Sequence, residues 1–196
     1  MIRRWLKSVL DRFGRRYDYD IAYAKEVVDL DRGGGIRLAL ASPFLLYRFG
    51  APKEVYFAAK IRSTLRADCG PCLRLVVNMA TEAGVGLDTI LAPLGRGIAT
   101  PDVALTLRFA DAVLDNAPEL MEVTEEVRQR FGEKTRAGLA TAIVAGQFYP
   151  VLKRGLGHAH ACAPVVKELL AIQGGQRLRR QEATRHRQEA TRHAAE

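Results

Sequence analysis

The stretch that decides the fold covers residues 68–84, which read DCGPCLRLVVNMATEAG. Its apolar residues recur at helical spacing along one stripe, from Cys72 through Val76 to Ala83, and Gly84 ends the pattern. Cys69 and Cys72 are three positions apart at the start of this helix, so their side chains share one face. A disulfide between them can close without moving the backbone. The stretch therefore predicts a redox-capable cysteine pair at a helix N-terminus.

Helical spacing recurs on both sides of the cysteine pair. Upstream, Pro52 begins a helix that carries Glu54 in its first turn. Downstream, Thr100 is a capping residue followed by proline and aspartate, and Asn116 ends the helix that starts there. We find no run of alternating β-branched residues of strand length. The sequence therefore predicts an all-α protein.

Glycine and proline mark the predicted breaks between the other helices. The first helix is amphipathic, with Trp5 on its apolar face, and is expected to end near Gly14. The glycines at positions 33–35 are expected to break the chain after a second helix over residues 19–30. Gly132 closes a later helix, and Pro150 is expected to kink or end the apolar segment that follows.

The formal net charge of +8 is concentrated at the two ends of the chain. Residues 1–16 carry six basic side chains and one acidic one, residues 176–196 carry six Arg and three Glu, and residues 17–175 are neutral overall. A neutral body lacks the continuous positive face that follows phosphates, so we expect no nucleic-acid binding through the body. The basic ends can make weak contact with an anionic surface.

Composition also indicates the cellular compartment and the domain organisation of the protein. No apolar run reaches the roughly 20 residues of a membrane span, and three cysteines are too few for a secreted disulfide framework. We expect a soluble, cytoplasmic protein.

Three regions are predicted along the chain. They are N-terminal helices over 1–35 that pack on or extend the body, a helical domain over 36–173, and a basic tail over 174–196. The tail contains a repeated RQEATRH and is expected to be either a solvated helix or disordered.

The tetrapeptide CGPC also occurs in thioredoxins, but no strand and no tryptophan lead into it here. The chain instead resembles the alkylhydroperoxidase D-like, carboxymuconolactone decarboxylase superfamily, in the branch that carries a Cys-x-x-Cys pair. The resemblance covers roughly residues 36–173 and includes residues 68–84, 107–114, 127–150 and 152–162 in order. It implies an alkylhydroperoxidase D-like helical bundle, a trimer or hexamer, no metal or organic cofactor, and a protein or small-molecule thiol as reductant.

The resemblance fails at one functional feature. The peroxidase members have a glutamate and a histidine that relay protons, and the matching positions here are Phe57 and Val76. Neither side chain can carry a proton. Glu54 is a weak substitute, since it lies one turn from Phe57 on nearly the same face. We therefore predict Cys69, Cys72 and, weakly, Glu54 as the catalytic residues.

These features predict a thiol-disulfide oxidoreductase that works through a reversible Cys69–Cys72 disulfide, with hydroperoxides as a possible second substrate class. The position of Cys69 at the helix N-terminus favours it as the nucleophile, because a thiolate is stabilised there. The resemblance instead implies Cys72, so both assignments stay open. Two alternatives are a non-enzymatic helical interaction protein that retains the fold and a lyase like carboxymuconolactone decarboxylase. General acid-base catalysis typically raises a reaction rate by roughly 100- to 10,000-fold. Loss of the proton relay would therefore slow peroxide reduction, which uses the relay, more than thiol exchange.

Two further groups of residues allow competing interpretations. His158, His160 and Cys162 could join the cysteine pair in a zinc site, but their spacing is unusual for zinc, and we predict no metal site. Tyr149, Lys153 and Arg154 lie near Pro150, where the resemblance implies a subunit contact and a pocket wall. Helix-end packing, with cations near the C-terminal end of the helix dipole, is the alternative for these three.

Overall fold

The computed structural model describes residues 1–158 and 165–171. These residues are mostly helical and contain no β-strand, which confirms the prediction of an all-α protein. Residues 165–171 are helical as well. The helices of residues 1–158, apart from a single 3-10 turn at Ala92–Leu94, are α1 (Ile2–Tyr17), α2 (Ala22–Leu30), α3 (Arg32–Leu45), α4 (Lys53–Arg66), α5 (Gly70–Glu82), α6 (Leu87–Leu91), α7 (Pro101–Asp115) and α8 (Leu120–Gly155).

Helix α4 is the central helix of the body. It packs against α5, α7 and α8, and nearly every residue from Val55 to Thr64 is buried. A helix that is apolar on all sides belongs in the interior, since it has no polar face to present to water. The segment 55–61, VYFAAKI, has this character apart from Lys60.

Capping residues set several helix ends where they were expected. The Thr100 hydroxyl accepts a hydrogen bond from the Val103 amide at 3.3 Å, which satisfies one of the free amides that open α7. Asn116 closes α7 in the left-handed region at φ 49°, a conformation that asparagine tolerates better than most residues. Gly84, at φ 73°, follows the end of α5. Local chemistry decides these boundaries.

The expected break at residues 33–35 is wrong. These glycines lie in the first turn of α3, which starts at Arg32 and continues through Pro43 to Leu45. Asp31 is the N-cap residue, and its carboxylate accepts a hydrogen bond from the Gly34 amide. A Cβ on Gly35 would lie 2.7 Å from a Val28 methyl group. The glycine therefore permits close packing of α2 on α3 instead of forming a turn, and the predicted boundary at residue 35 falls inside a helix.

Two other predicted ends are also wrong. Helix α1 does not end at Gly14, which is buried within it, and continues to Tyr17; Trp5, which was assigned to its apolar face, is exposed. Gly132 does interrupt the long α8, at φ 80° and ψ 169°. Pro150, however, is buried inside α8, and the helix continues to Gly155 because the later backbone hydrogen bonds still form.

Within the described residues, the buried side chains form one large core, a smaller cluster beside it, and a group of three residues, Ala58, Ala92 and Val103. The large core lies mainly among α4, α5, α7 and α8. The smaller cluster joins residues 19–24 to the cysteine pair, so the N-terminal segment packs directly on the start of α5. Within residues 1–158 and 165–171, none of the helices combines the length and apolarity that crossing a bilayer requires. The predicted tail over 174–196 lies outside the described residues.

Candidate functional site

The cysteine pair occupies the N-terminus of α5, as the sequence predicted. Cys69 is the N-cap residue and Pro71 stands in the first turn, where its missing amide hydrogen costs nothing. The two sulfurs are joined as a disulfide, and the Cα atoms of Cys69 and Cys72 are 5.3 Å apart. This separation is ordinary for a disulfide. The first turn of α5 therefore holds both sulfurs on one side of the helix.

The N-terminal segment covers the disulfide. Both cysteines are 4% exposed, and they pack in one cluster with Tyr19, Tyr23 and their neighbours. In this conformation a large protein partner does not reach either sulfur from bulk solvent. Access for a small molecule lies instead through an adjacent cavity.

That cavity has a volume of about 260 Å³ and is enclosed by α1 to α5 and α8. Cys72 is part of its wall, whereas Cys69 is not. Most of the wall is aliphatic or aromatic, which suits an apolar ligand. The apolar wall residues include Leu6, Val9, Leu10, Phe13, Ile21, Val28, Leu38, Leu46, Leu75, Val76 and Met79.

A tyrosine hydroxyl touches the sulfur that faces the cavity. The Tyr19 hydroxyl lies 3.4 Å from Cys72 Sγ. Burial raises the pKa of Tyr19 to about 12, so its hydroxyl keeps its proton at neutral pH and can donate it to sulfur. A donated hydrogen bond favours the charged form of its acceptor. Tyr19 is therefore placed to stabilise a Cys72 thiolate once the disulfide is reduced.

Lys153 lies behind Tyr19. Its side chain is fully buried, and its Nζ is 4.9 Å from the centre of the Tyr19 ring and 5.2 Å from that of Tyr23. Within the described part of the chain, Nζ has no hydrogen-bond acceptor. Burial lowers the pKa of Lys153, while the Asp20 carboxylate acts in the opposite direction. The ring faces supply the contact that holds the ammonium group.

Lys60 introduces a second buried amine, this time in the wall of the cavity. Its side chain is 4% exposed, and its Nζ lies 5.6 Å from the centre of the Tyr56 ring. Burial lowers the pKa of Lys60 to about 8. The amine therefore stays mostly protonated at neutral pH in apolar surroundings.

The weakly predicted third catalytic residue is not brought to the cysteines. Glu54 has a side chain 45% exposed, lies 4.0 Å from Lys53 Nζ, and does not line the cavity. Phe57 belongs to the large core, and Val76 forms part of the cavity wall. Among the residues that the structure describes, none in that wall carries a carboxylate. The relay positions therefore supply no proton donor or acceptor here.

The residues near Pro150 have separate roles. Tyr149 lines the cavity, and its hydroxyl lies 2.8 Å from that of Ser42, which links α8 to α3. Arg154 donates to the Ala67 carbonyl just before the cysteine turn. The predicted pocket wall is therefore present at Tyr149.

For the alternative of a zinc site, only part of the residue set is described. His158 Nε2 lies 2.7 Å from a Glu26 carboxylate oxygen. His160 and Cys162 lie outside the described residues. Within the described ranges, no three or more His, Cys, Asp or Glu side chains converge as metal ligands.

Sequence reasoning missed Tyr19 and Lys60. A signal existed for Lys60, since a single lysine within the apolar run VYFAAKI has no polar helix face to reach. No comparable signal existed for Tyr19, because it is 53 positions from Cys72 and only the packing of the N-terminal segment brings them together.

Comparison with known proteins adds no relative. No family model, no curated protein and no solved structure matches the chain. The functional argument therefore depends on the geometry of this site.

Proposed function

We propose that the protein is a dithiol-disulfide oxidoreductase that reduces small, apolar disulfides. The observation that carries this proposal is a Cys69–Cys72 disulfide at a helix start, with Cys72 in the wall of an apolar cavity. A buried pair of this kind favours a small substrate that enters the cavity over a protein substrate. The pair itself supplies the two electrons that the reaction needs.

The reaction balances with the two cysteines alone. In the reduced protein, the Cys72 thiolate attacks one sulfur of the substrate R–S–S–R, forms a Cys72–S–S–R mixed disulfide and releases RS⁻, which takes a proton from water. Cys69 then loses its proton, and its thiolate attacks Cys72 Sγ, closes the protein disulfide and releases the second RS⁻. An external small-molecule thiol that enters the cavity reverses these steps to regenerate the dithiol.

Three features support Cys72 as the attacking residue. It lines the cavity, the Tyr19 hydroxyl can donate to its sulfur, and it lies in the first turn of α5, where free amides and the helix dipole favour a thiolate. Cys69 lacks the first two features among the contacts described above. It therefore takes the resolving role in the proposal.

The resemblance supports two further parts of the proposal. The all-α body with a Cys-x-x-Cys pair at a helix start is consistent with an alkylhydroperoxidase D-like bundle. Such a bundle would form a homo-oligomer. Hydroperoxides are the weaker substrate class, because Phe57 and Val76 cannot relay protons.

Trapping the mixed disulfide tests the proposal. In a Cys162→Ser background, which removes the third thiol, the Cys69→Ser variant should form a stable Cys72 adduct with an aryl disulfide, seen by intact mass. The matched Cys72→Ser variant should react at least about tenfold more slowly, because its remaining thiol lacks the Tyr19 donor. Both variants should fail to turn over the disulfide.

The same experiment separates the alternatives. Thiols that react in neither variant, together with no turnover by the protein with both cysteines intact, would favour the non-enzymatic interaction protein. A faster adduct on Cys69 would reverse the assigned roles of the two cysteines.

A further inference from the structure

Lys60 has no part in the redox proposal, yet it is the most costly residue in the cavity wall. The residue is 4% exposed, and its ammonium group makes no hydrogen bond or ion pair to any residue that the structure describes. The Tyr56 ring, 5.6 Å away, is its nearest recorded partner. A buried charge without a counter-ion is expensive, so a buried lysine facing a cavity indicates a missing anionic partner.

The other polar groups of the wall already have partners. The Ser42 and Tyr149 hydroxyls are 2.8 Å apart, and the Tyr19 hydroxyl contacts Cys72. The Thr64 hydroxyl donates to the backbone carbonyl of Lys60 at 2.8 Å. Among the described residues that line the cavity, Lys60 is therefore the one charged side chain, and most of the other lining residues are apolar. A ligand that fits must present one negative charge and an apolar body.

The volume sets the size of that ligand. An apolar cavity of about 150 Å³ holds benzene, so this one, at about 260 Å³, has room for roughly ten non-hydrogen atoms. A carboxylic acid with an eight-carbon chain has this size. Its carboxylate can accept hydrogen bonds from an ammonium group, and its alkyl chain matches the aliphatic wall.

We propose that the cavity binds a medium-chain carboxylic acid, with its carboxylate on Lys60 and its alkyl chain among the apolar side chains of α1 to α3. The acid would occupy the same cavity that the redox proposal assigns to the disulfide substrate, but its binding uses no thiol chemistry and can be measured separately. The site assigns a role to a lysine that otherwise only destabilises the fold.

Proton linkage provides a check that needs no variant. A bound carboxylate would raise the pKa of Lys60 from its value of about 8, so binding near pH 8 to 9 should take up a proton. The other titratable side chains around Lys60 do not compete in this range, since burial raises the pKa of every tyrosine among them and the cysteine is in a disulfide. They are Tyr19, Tyr23, Tyr56, Tyr149 and Cys72.

Calorimetric titration of the oxidised full-length protein tests the proposal, with sodium octanoate, octanol and octylammonium chloride as probes. Octanoate should bind at least about tenfold more tightly than octanol, because the alcohol oxygen can accept a hydrogen bond from Lys60 but brings no negative charge to the ammonium group. Octylammonium should bind most weakly. At pH 8.5, the octanoate heat should differ between buffers of low and high ionisation enthalpy, which reports proton uptake.

A matched pair of variants tests whether Lys60 causes the preference for octanoate. Lys60→Met keeps the side-chain volume and should weaken octanoate binding by about 10- to 100-fold while changing octanol binding much less. Lys134→Met, at an exposed lysine of α8, should change neither. A Cys69→Ser, Cys72→Ser double variant should still bind octanoate, so that failure of the redox proposal and failure of this one are distinguishable.

Several outcomes would overturn the inference. Equal affinity for octanoate and octylammonium would show that Lys60 does not select an anion. Equal losses for octanoate and octanol in Lys60→Met would indicate a structural role for the lysine. If that variant does not fold, the absence of proton uptake by the unaltered protein would be enough to reject the site.

Discussion

Lys60 lowers the stability of the folded protein, because its amine is buried. Its pKa is about 8 in the folded protein, against an ordinary 10.5. Between these two values the unfolded chain holds a proton that the folded protein has lost, so unfolding becomes less favourable as pH rises through this window. Below pH 8 both states are protonated and the penalty is constant, at about 3 kcal/mol.

Replacing this lysine should therefore stabilise the protein. Lys60→Met is expected to raise the free energy of unfolding by up to about 3 kcal/mol at pH 7, with the gain shrinking as pH increases from 8 toward 10. Urea unfolding at pH 7 and 9.5 measures both quantities. Lys134→Met should show no such difference, and a gain independent of pH would contradict the assigned pKa.

In the proposed function, the Tyr19 hydroxyl lowers the pKa of the Cys72 thiol. Tyr19→Phe removes the hydroxyl that lies 3.4 Å from Cys72 Sγ, so the pKa of the reduced Cys72 thiol should rise by about 1 to 2 units. Alkylation rates against pH would report this in a Cys69→Ser, Cys162→Ser background, where Cys72 is the only thiol. Tyr17→Phe is the matched control, because its hydroxyl donates to Glu82 at 2.7 Å. An unchanged Cys72 pKa would remove Tyr19 from the proposed site.

At the scale of single residues, the sequence predicted those whose partners lie within one helical turn. Cys69 and Cys72 are three positions apart, so their pairing follows from helix geometry. The weak candidate Glu54 is on the surface, because spacing along a helix does not say which neighbour covers it. Lys60 and Tyr19 gain their roles only from side chains that are distant in sequence.

At the scale of helices, α4 and α8 approach each other through a glycine. A Cβ on Gly146 would lie 2.6 Å from the Ser63 Cβ and 2.9 Å from the Lys60 carbonyl. The Ser63 hydroxyl donates to the Ile143 carbonyl at 2.6 Å across the same contact. The absence of a side chain at residue 146 therefore fixes the spacing of the two helices that frame one side of the cavity.

Gly146→Ala should accordingly destabilise the protein. Overpacking of this kind typically costs about 1 to 3 kcal/mol, more than the helix propensity that alanine contributes. Denaturant unfolding measures the loss. Gly155→Ala in the same helix has open space around the new methyl group and should be neutral or slightly stabilising. Equal effects at both positions would mean that the α4–α8 contact is not tight.

Helix ends illustrate which local signals are reliable. Thr100 and Asn116 act through their own side chain or backbone preference, and both predictions are confirmed. The glycines at 33–35 and Pro150 were expected to break helices and do not. In those cases a neighbouring helix or the rest of the helix decides the outcome, since close packing and the remaining hydrogen bonds outweigh the local preference.

At the scale of the whole molecule, α8 carries a stripe of exposed apolar residues that is relevant to the oligomeric state. Val144, Phe148 and Val151 follow helical spacing and remain 51%, 36% and 52% exposed. Exposed apolar groups at this spacing are typical of surfaces that another chain covers. They are consistent with the homo-oligomer that the resemblance implies.

Sedimentation of the purified protein should therefore give a mass above that of one chain, and Val144→Glu should reduce it by placing a charge in the contact. Ile98→Glu, at a residue 72% exposed outside this stripe, should leave the mass unchanged. A protein that is monomeric before any substitution would contradict the oligomer and leave the stripe without this role.

The sequence by itself determined the all-α class and the cysteine pair, because each follows from periodicity or from residues within one helical turn. The tertiary structure alone decided that the N-terminal segment, expected to pack on or extend the body, completes the site by bringing Tyr19 to Cys72. It also decided that Lys60 faces an apolar cavity. Burial and long-range contact depend on which helices pack together, and local preferences along the chain do not specify that arrangement.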